Sequence, residues 1–229
     1  MQVKIAPGAI AQTAFMGLLE FARGPALVFS VIVLVFGLAW RLYGIFRRPV
    51  RADHSEPRRR DLAAGGLRAI FAKMLPPRNV KIRGAQMANA YAYHIALALI
   101  AFGFAPHIGF IERTTGIGWP ALPDAVTYLA TAVAIIGLII ALMNRLSDGV
   151  LRLLSSFDDY FSWFVTMAPL VTGMALLPMP AQPLWVAIHL LSLELLLVWL
   201  PFGKLAHAAL VFVSRWRTGA DFTRKGAAI

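Results

Sequence analysis

The 229-residue chain has no cysteine. That excludes a disulfide framework, a thiolate zinc site, a cysteine-held iron–sulfur cluster and a haem attached through C-x-x-C-H. Charge is scarce too: 14% of residues are charged and 59% hydrophobic, where a globular domain carries about 25% and about 45–50%. With a mean hydropathy of +0.69, disorder and collagen are excluded and the bilayer is the expected solvent. Acids are half as frequent as bases, 11 against 22, leaving a net charge of +11. No ten-residue alternating pattern occurs, so sheets are excluded, because lipid tolerates only helices or closed barrels. No internal repeat or low-complexity segment is visible.

What is present is long apolar runs. A hydrocarbon core of about 30 Å needs about 20 apolar residues in helix. Residues 25–46, 87–111, 125–144, 160–177 and 184–212 meet this. The expected fold class is an all-α integral membrane protein: a single membrane domain, residues 1–229, with five transmembrane helices in a bundle. The last stretch exceeds one span and is expected to tilt or project. Residues 1–24 read as an external lead-in, since Glu20 and Arg23 interrupt the apolar run and Lys4 makes a thin signal-peptide start. Residues 47–84 form a basic loop and 213–229 a tail. Within the loop, Leu67, Ile70, Phe71, Met74 and Leu75 have helical spacing that Pro76-Pro77 ends. This is a basic amphipathic helix for the lipid surface, a docking surface for a cytoplasmic protein, or both.

The loops decide orientation. Nineteen of the Lys and Arg residues fall on one side, and only Lys4, Arg23 and Arg113 on the other. By the positive-inside rule the N-terminus is outside and the C-terminus cytoplasmic. An odd number of spans agrees with this. The basic surplus is thus topogenic, and nucleic acid is not an expected partner.

Chemistry is expected at the histidines. His54 lies among charges in the basic loop and reads as solvated. His94, His107, His189 and His207 fall in or near the second and fifth stretches, and ionisable groups in membrane helices are rare and usually functional. Because the two stretches run in opposite directions, the four match by depth as His94 with His207 and His107 with His189. Each pair can supply both axial imidazoles of a b-type haem, held between facing helices without cysteine. On a straight helix His189 and His207 share a face at a rise of about 27 Å, whereas His94 and His107 point about 140° apart. A kink at Pro106 is therefore expected to re-aim His107.

Other polar residues in these stretches have weaker assignments. Glu194 can accept a proton from a quinol, or simply bond Ser192 or a neighbouring helix. Lys204 and Arg145 lie where the propionates of a cytoplasmic-side haem need a cation, or snorkel to water. Asp158 and Asp159 suit a helix N-terminus. Gly103, Gly109 and Gly173 allow close approach of a macrocycle or of a helix.

Several segments recur together in a recognisable order. They are Phe15-x-x-Leu-Leu-Glu-Phe-Ala-Arg-Gly-Pro25, His94 through Ala105-Pro106-His107, Gly116-Ile-Gly-Trp-Pro-Ala-Leu-Pro-Asp124, Asp159-Tyr160 with Pro169-Leu-Val-Thr-Gly173, His189-Leu-Leu-Ser-Leu-Glu194 and Pro201-Phe-Gly-Lys-Leu-Ala-His207. Across nearly the whole chain they resemble the cytochrome b subunits of the respiratory nitrate reductase gamma family. The likeness is nearer to the branch in sulfate-reducer transmembrane redox complexes and heterodisulfide-reductase-like assemblies. The nitrate reductase branch has a shorter gap between its two helix-two histidines, so nitrate reduction is not implied.

The resemblance implies a five-span subunit of a bacterial or archaeal cytoplasmic membrane. It would bind two haem b, with His94, His107, His189 and His207 as axial ligands. Electrons would pass between a quinone pool, or a periplasmic cytochrome c, and cytoplasmic iron–sulfur subunits of heterodisulfide-reductase-like or ferredoxin-like type. The alternative from the residues is a transporter or ion-conducting protein with proton- or metal-handling histidines.

Overall fold

The computed structural model describes residues 7–47, 55–72, 84–178 and 182–227. The expectations made at Lys4, His54 and Pro76-Pro77 lie outside the described residues. Every regular element described is a helix. In chain order they are α1 (Pro7–Phe21), a π-helical turn (Ala22–Ala26), α2 (Leu27–Arg47), α3 (Leu62–Ala72), α4 (Gly84–Gly103), α5 (Ala105–Thr115), α6 (Asp124–Ser147), the short α7 (Gly149–Leu153), α8 (Phe157–Ala175), α9 (Pro183–Trp199), a 3-10 turn (Lys204–Ala206) and α10 (His207–Lys225).

Two helices are long and apolar enough to cross a membrane, Gln12–Arg47 and Asp124–Ser147. The number rises to four if each of two bent pairs, α4 with α5 and α9 with α10, counts as one span. α8 covers residues 160–175 of the expected stretch 160–177 but opens on Asp158 and Asp159 and is not among them. The outward face of α2 is apolar, with Phe29, Ile32, Val35 and Phe36 all more than half exposed. In water such a surface would be a liability; against lipid it is the ordinary one.

The main core joins α4, α6 and α8 through Ala96, Ala130, Ala134, Leu138, Met167 and Leu170. Small residues let these helices approach closely. Gly137 faces Tyr93, and its carbonyl accepts from Asn89 Nδ2 at 2.9 Å. Trp163 Nε1 donates to the Leu138 carbonyl at 2.8 Å. A second cluster packs Leu19 and Ala22 against Ala187 of α9.

Two expectations change here. The lead-in does not stand apart from the first span, because α1 runs through the π turn into α2 as one helical stretch. Pro25 lacks the N–H an α-turn would use, and the wider turn absorbs it. Nor is the stretch 184–212 one straight helix: the chain bends by 82° between α9 and α10, around the buried Pro201 and Gly203. At this end of the bundle α3 lies against α10. Gly65 and Gly66 face Thr223 and Trp216, and Gly219 faces Ala69. Arg217 donates to the Ile45 carbonyl of α2 at 2.8 Å, which ties α10 to the end of the first helix.

Candidate functional site

The break expected at Pro106 is present. α4 ends at Gly103 and α5 departs at 58°, with Phe104 extended between them. Helix ends leave carbonyls without partners, and here three of the last four find one. Ile100 O takes His107 Nδ1–H at 2.9 Å, Phe102 O takes the Trp119 indole at 2.6 Å, and Gly103 O takes the Leu122 N–H at 2.8 Å. The bend thus turns the half-buried His107 ring toward α9. Its centre lies 6.3 Å from that of His189, with the ring planes 7° from parallel. His189 Nδ1 is 3.1 Å from Thr172 Oγ1, which also lies 3.0 Å from Ser192 Oγ. Gly173 leaves room for this imidazole, since a Cβ there would stand 3.2 Å from His189 Cε1.

The second pair forms at the basic end. His94 of α4 and His207 at the start of α10 have ring centres 6.1 Å apart and planes at 70°. Both are exposed. His94 Nδ1 rests on the Ala90 carbonyl at 2.7 Å, and His207 Nδ1 on the Lys204 carbonyl at 2.7 Å. The straight-helix account of His207 is replaced: it reaches His94 because of the 82° bend, not by sharing a face with His189.

These spacings test what the pairs can hold. Two imidazoles bound through Nε2 on opposite sides of one metal, at about 2.0 Å per bond and about 1.15 Å from nitrogen to ring centre, have ring centres about 6.3 Å apart. Both pairs match. All four Nδ1 atoms are already engaged, as metal-bound histidines typically are, which leaves Nε2 as the ligating nitrogen. Among the described residues no third His, Asp or Glu completes a cluster of three. A tetrahedral metal held by protein alone would be two ligands short. A macrocycle supplying four in-plane nitrogens suits two axial imidazoles.

Lys204 and Arg145 come together on one carboxylate. Asp159, 8% exposed, takes Arg145 at 2.9 Å and the Lys204 ammonium at 2.5 Å. It also accepts the Ser156 N–H at 2.9 Å, closing a capping box at the start of α8. Burial pushes the Asp159 carboxyl up, but Lys204, Ser156 and Arg145 outweigh it and hold it below the usual carboxylate range.

Glu194 stands alone. It is 5% exposed, and neither carboxyl oxygen has a hydrogen-bond partner among the described residues. The expected bond to Ser192 is not made, because the Ser192 hydroxyl donates to the His189 carbonyl. Helix register brings the buried Ser30 of α2 level with it. Ala22 packs with Ala187, and Gly37 faces Pro201. The first helix therefore uses one more residue than α9 between these contacts, which the π turn at Ala22–Ala26 supplies. Beyond that turn Ser30 is level with Glu194.

Thr172 and the carbonyls of Ala90, Ile100 and Lys204 went unassigned in the sequence, and Asp158 read only as a helix N-terminal carboxylate. Carbonyls carry no sequence signature. Thr172 had one, as the polar member of Pro169-Leu-Val-Thr-Gly173.

No family model matches the chain. No solved structure matches it either. A protein of Nitratidesulfovibrio vulgaris, whose name states no activity, is 31% identical over 211 residues, covering 91% of this chain and 89% of that protein. The similarity runs through both histidine-bearing regions and shows common descent, so the chain belongs to the family of that Nitratidesulfovibrio vulgaris protein.

Proposed function

We propose that the chain is a dihaem b-type cytochrome, the membrane subunit of an oxidoreductase complex of a bacterial or archaeal cytoplasmic membrane. It passes electrons between a quinone pool, or a periplasmic cytochrome c, and cytoplasmic iron–sulfur subunits. The observation that carries this reading is the spacing of the imidazole pairs, 6.1 and 6.3 Å between ring centres, with every Nδ1 engaged elsewhere. Haem b bound there supplies one-electron redox chemistry.

The chain's own residues bind and orient. His94 with His207 holds one macrocycle, and His107 with His189 the other. The Nδ1 bonds keep each imidazole in the tautomer that presents Nε2. Tyr93 stacks on His94 with ring centres 4.4 Å apart, and Phe104 packs edge-on to His107 at 5.3 Å. Both limit rotation of the rings they touch. Lys204 and Arg145, which meet on Asp159, are the proposed cations for an anionic group such as a propionate. Glu194 is the proposed acceptor of a proton released when a quinol is oxidised. An isolated carboxylate in an apolar site is expensive and a carboxylic acid much less so, which suits a group that takes up a proton.

In the proposed topology five segments cross the membrane, α8 included, with the N-terminus outside and the basic end in the cytoplasm. The α3–α10 pair is the proposed dock for the iron–sulfur subunit, of heterodisulfide-reductase-like or ferredoxin-like type. A transporter with proton- or metal-handling histidines is the competing reading, favoured by the two broken helices.

One measurement decides between them. A reduced-minus-oxidised spectrum of the purified chain, with extraction into acidified organic solvent, should give two non-covalent haems per chain. No haem overturns the proposal. One haem at full occupancy refutes the four-ligand scheme.

A further inference from the structure

The turn that delivers His207 is built on a carboxylate from another helix. Asp158 Oδ1 of α8 accepts the Lys204 N–H at 3.1 Å and the Ser162 hydroxyl at 2.8 Å. Ser162 Oγ in turn accepts the Trp199 indole N–H at 2.9 Å. One carboxylate oxygen therefore connects the end of α9 with the turn that follows it. Gly203 makes this approach feasible, because a Cβ there would stand 2.8 Å from Asp158 Oδ1 and overlap the Trp199 indole. Lys204 is then held at its N–H by Asp158, and its carbonyl accepts His207 Nδ1–H at 2.7 Å. The neighbouring Asp159 takes the lysine ammonium and the Ser156 N–H instead, so of the two acids Asp158 is the one bonded to the backbone of the Lys204 turn.

We propose that Asp158 is the positioning residue for His207, setting the plane of that imidazole against His94 through the Lys204 backbone. The proposal rests on the haem reading above. It matters because the two pairs differ in ring geometry, 70° between planes in one and 7° in the other. An axial imidazole donates π density perpendicular to its ring. Parallel rings feed one iron d orbital and separate it from its neighbour, whereas near-perpendicular rings feed two and leave them close in energy. The ferric low-spin EPR signal of the His94–His207 site is therefore the more anisotropic of the two, and it moves if the His207 plane moves. Hydrogen bonding to the ligating imidazoles also tunes the reduction potential.

The test uses the full-length chain purified from membranes with both haems bound. Asp158→Ala removes the acceptor. Asp158→Asn keeps an oxygen for the Lys204 N–H and the Ser162 hydroxyl while losing the charge. Asp158→Ala should move the more anisotropic EPR signal and shift that site's reduction equilibrium about tenfold, which is about 59 mV for one electron. The other signal should stay, and Asp158→Asn should restore both readouts. Loss of the inner signal in Asp158→Ala with recovery in Asp158→Asn is the same outcome in stronger form. Equal shifts in the two variants would assign the effect to charge and overturn the proposal, as would an unmoved signal in Asp158→Ala. If Asp158→Ala does not accumulate, Asp158→Glu keeps the charge and displaces the acceptor by one methylene; an unmoved inner signal there also overturns it. A wild-type chain without any haem signal fails at the haem reading itself and takes this proposal with it.

Discussion

Thr172→Val replaces one hydroxyl with a methyl of the same shape, so its effect is confined to hydrogen bonding. Thr172 Oγ1 donates to the Ala168 carbonyl at 2.9 Å and stands 3.1 Å from His189 Nδ1. With Nε2 as the ligating atom, Nδ1 keeps its hydrogen and Thr172 is the acceptor. Valine removes the hydroxyl acceptor and leaves the imidazole only its contact with the Pro169 carbonyl, at a cost of about 1–3 kcal/mol, or about 5- to 150-fold in affinity for whatever Nε2 holds. Losses of about 10–100-fold are usual when such an outer partner of a metal-bound histidine is removed. The imidazole also becomes a weaker donor, so the reduction potential of the proposed His107–His189 haem should rise.

The assay is haem release from detergent-solubilised protein to an excess of haem-accepting protein, followed separately for the two spectral components, with a redox titration alongside. The His94–His207 haem should be unchanged, because its Nδ1 atoms rest on the Ala90 and Lys204 carbonyls. Thr172→Ser, which keeps the hydroxyl, should restore retention. Equal loss of both haems, or normal retention of the outer one in Thr172→Val, refutes the reasoning.

Further outcomes are expected. His94→Ala and His207→Ala should abolish the same haem, and His107→Ala and His189→Ala the other; if the first two remove different haems by spectrum and redox titration, the pairing is wrong. Glu194→Gln should lower quinol-dependent haem reduction about 10²–10⁴-fold with haem content intact, and an unchanged rate eliminates Glu194 as the acceptor. Asp159 has a lowered folded value, so its stabilisation is full above the unfolded value of 3.8 and is lost as pH falls through the folded value. Asp159→Asn should therefore cost about 1–3 kcal/mol near neutral pH and flatten the acid limb of the thermal-stability profile; a wild-type acid limb contradicts this. Gly219→Leu should part α10 from α3, where Ala69 and the Gly65 backbone leave no room, and weaken copurification of the iron–sulfur partner while the haem spectrum persists. Unimpaired copurification removes the α3–α10 pair as the dock.

The sequence was most legible where periodicity and punctuation agree. Apolar runs of span length marked the helices, and the Pro106 break followed from a proline set against the mismatch between His94 and His107. It was least legible where a local signal has two outcomes. Glu20, Arg23 and Pro25 resemble a boundary, yet a π turn carries the helix through them. Pro201 and Gly203 lie inside a stretch apolar enough to pass as one helix, and only packing against Asp158 and Gly37 shows the bend. Arg145 and Lys204 were singled out together as cations and Asp159 apart from them as a helix-terminus acid, because their meeting depends on three elements converging, which no local pattern encodes. The depth pairing of the histidines could be argued in advance from the opposite directions of the two stretches; the engagement of every Nδ1 could not.

The two histidine pairs also impose a timetable. Each joins the α4–α5 segment to one made near the end of the chain. At about 5–20 residues per second, α5 leaves the ribosome several seconds before α9 exists. During that interval His94 and His107 stand in the nascent bundle without their opposite imidazoles, while α6 and α8 are threaded past them. His189 emerges first, so the His107 site closes before the His94 site can. A chain stalled before residue 189 has neither pair, and one stalled between 189 and 207 has only the outer one. During synthesis, an occupant needing both imidazoles can therefore be held first at His107–His189 and only afterwards at His94–His207. Pulse-labelled assembly intermediates should show the outer site filled while the inner is still open.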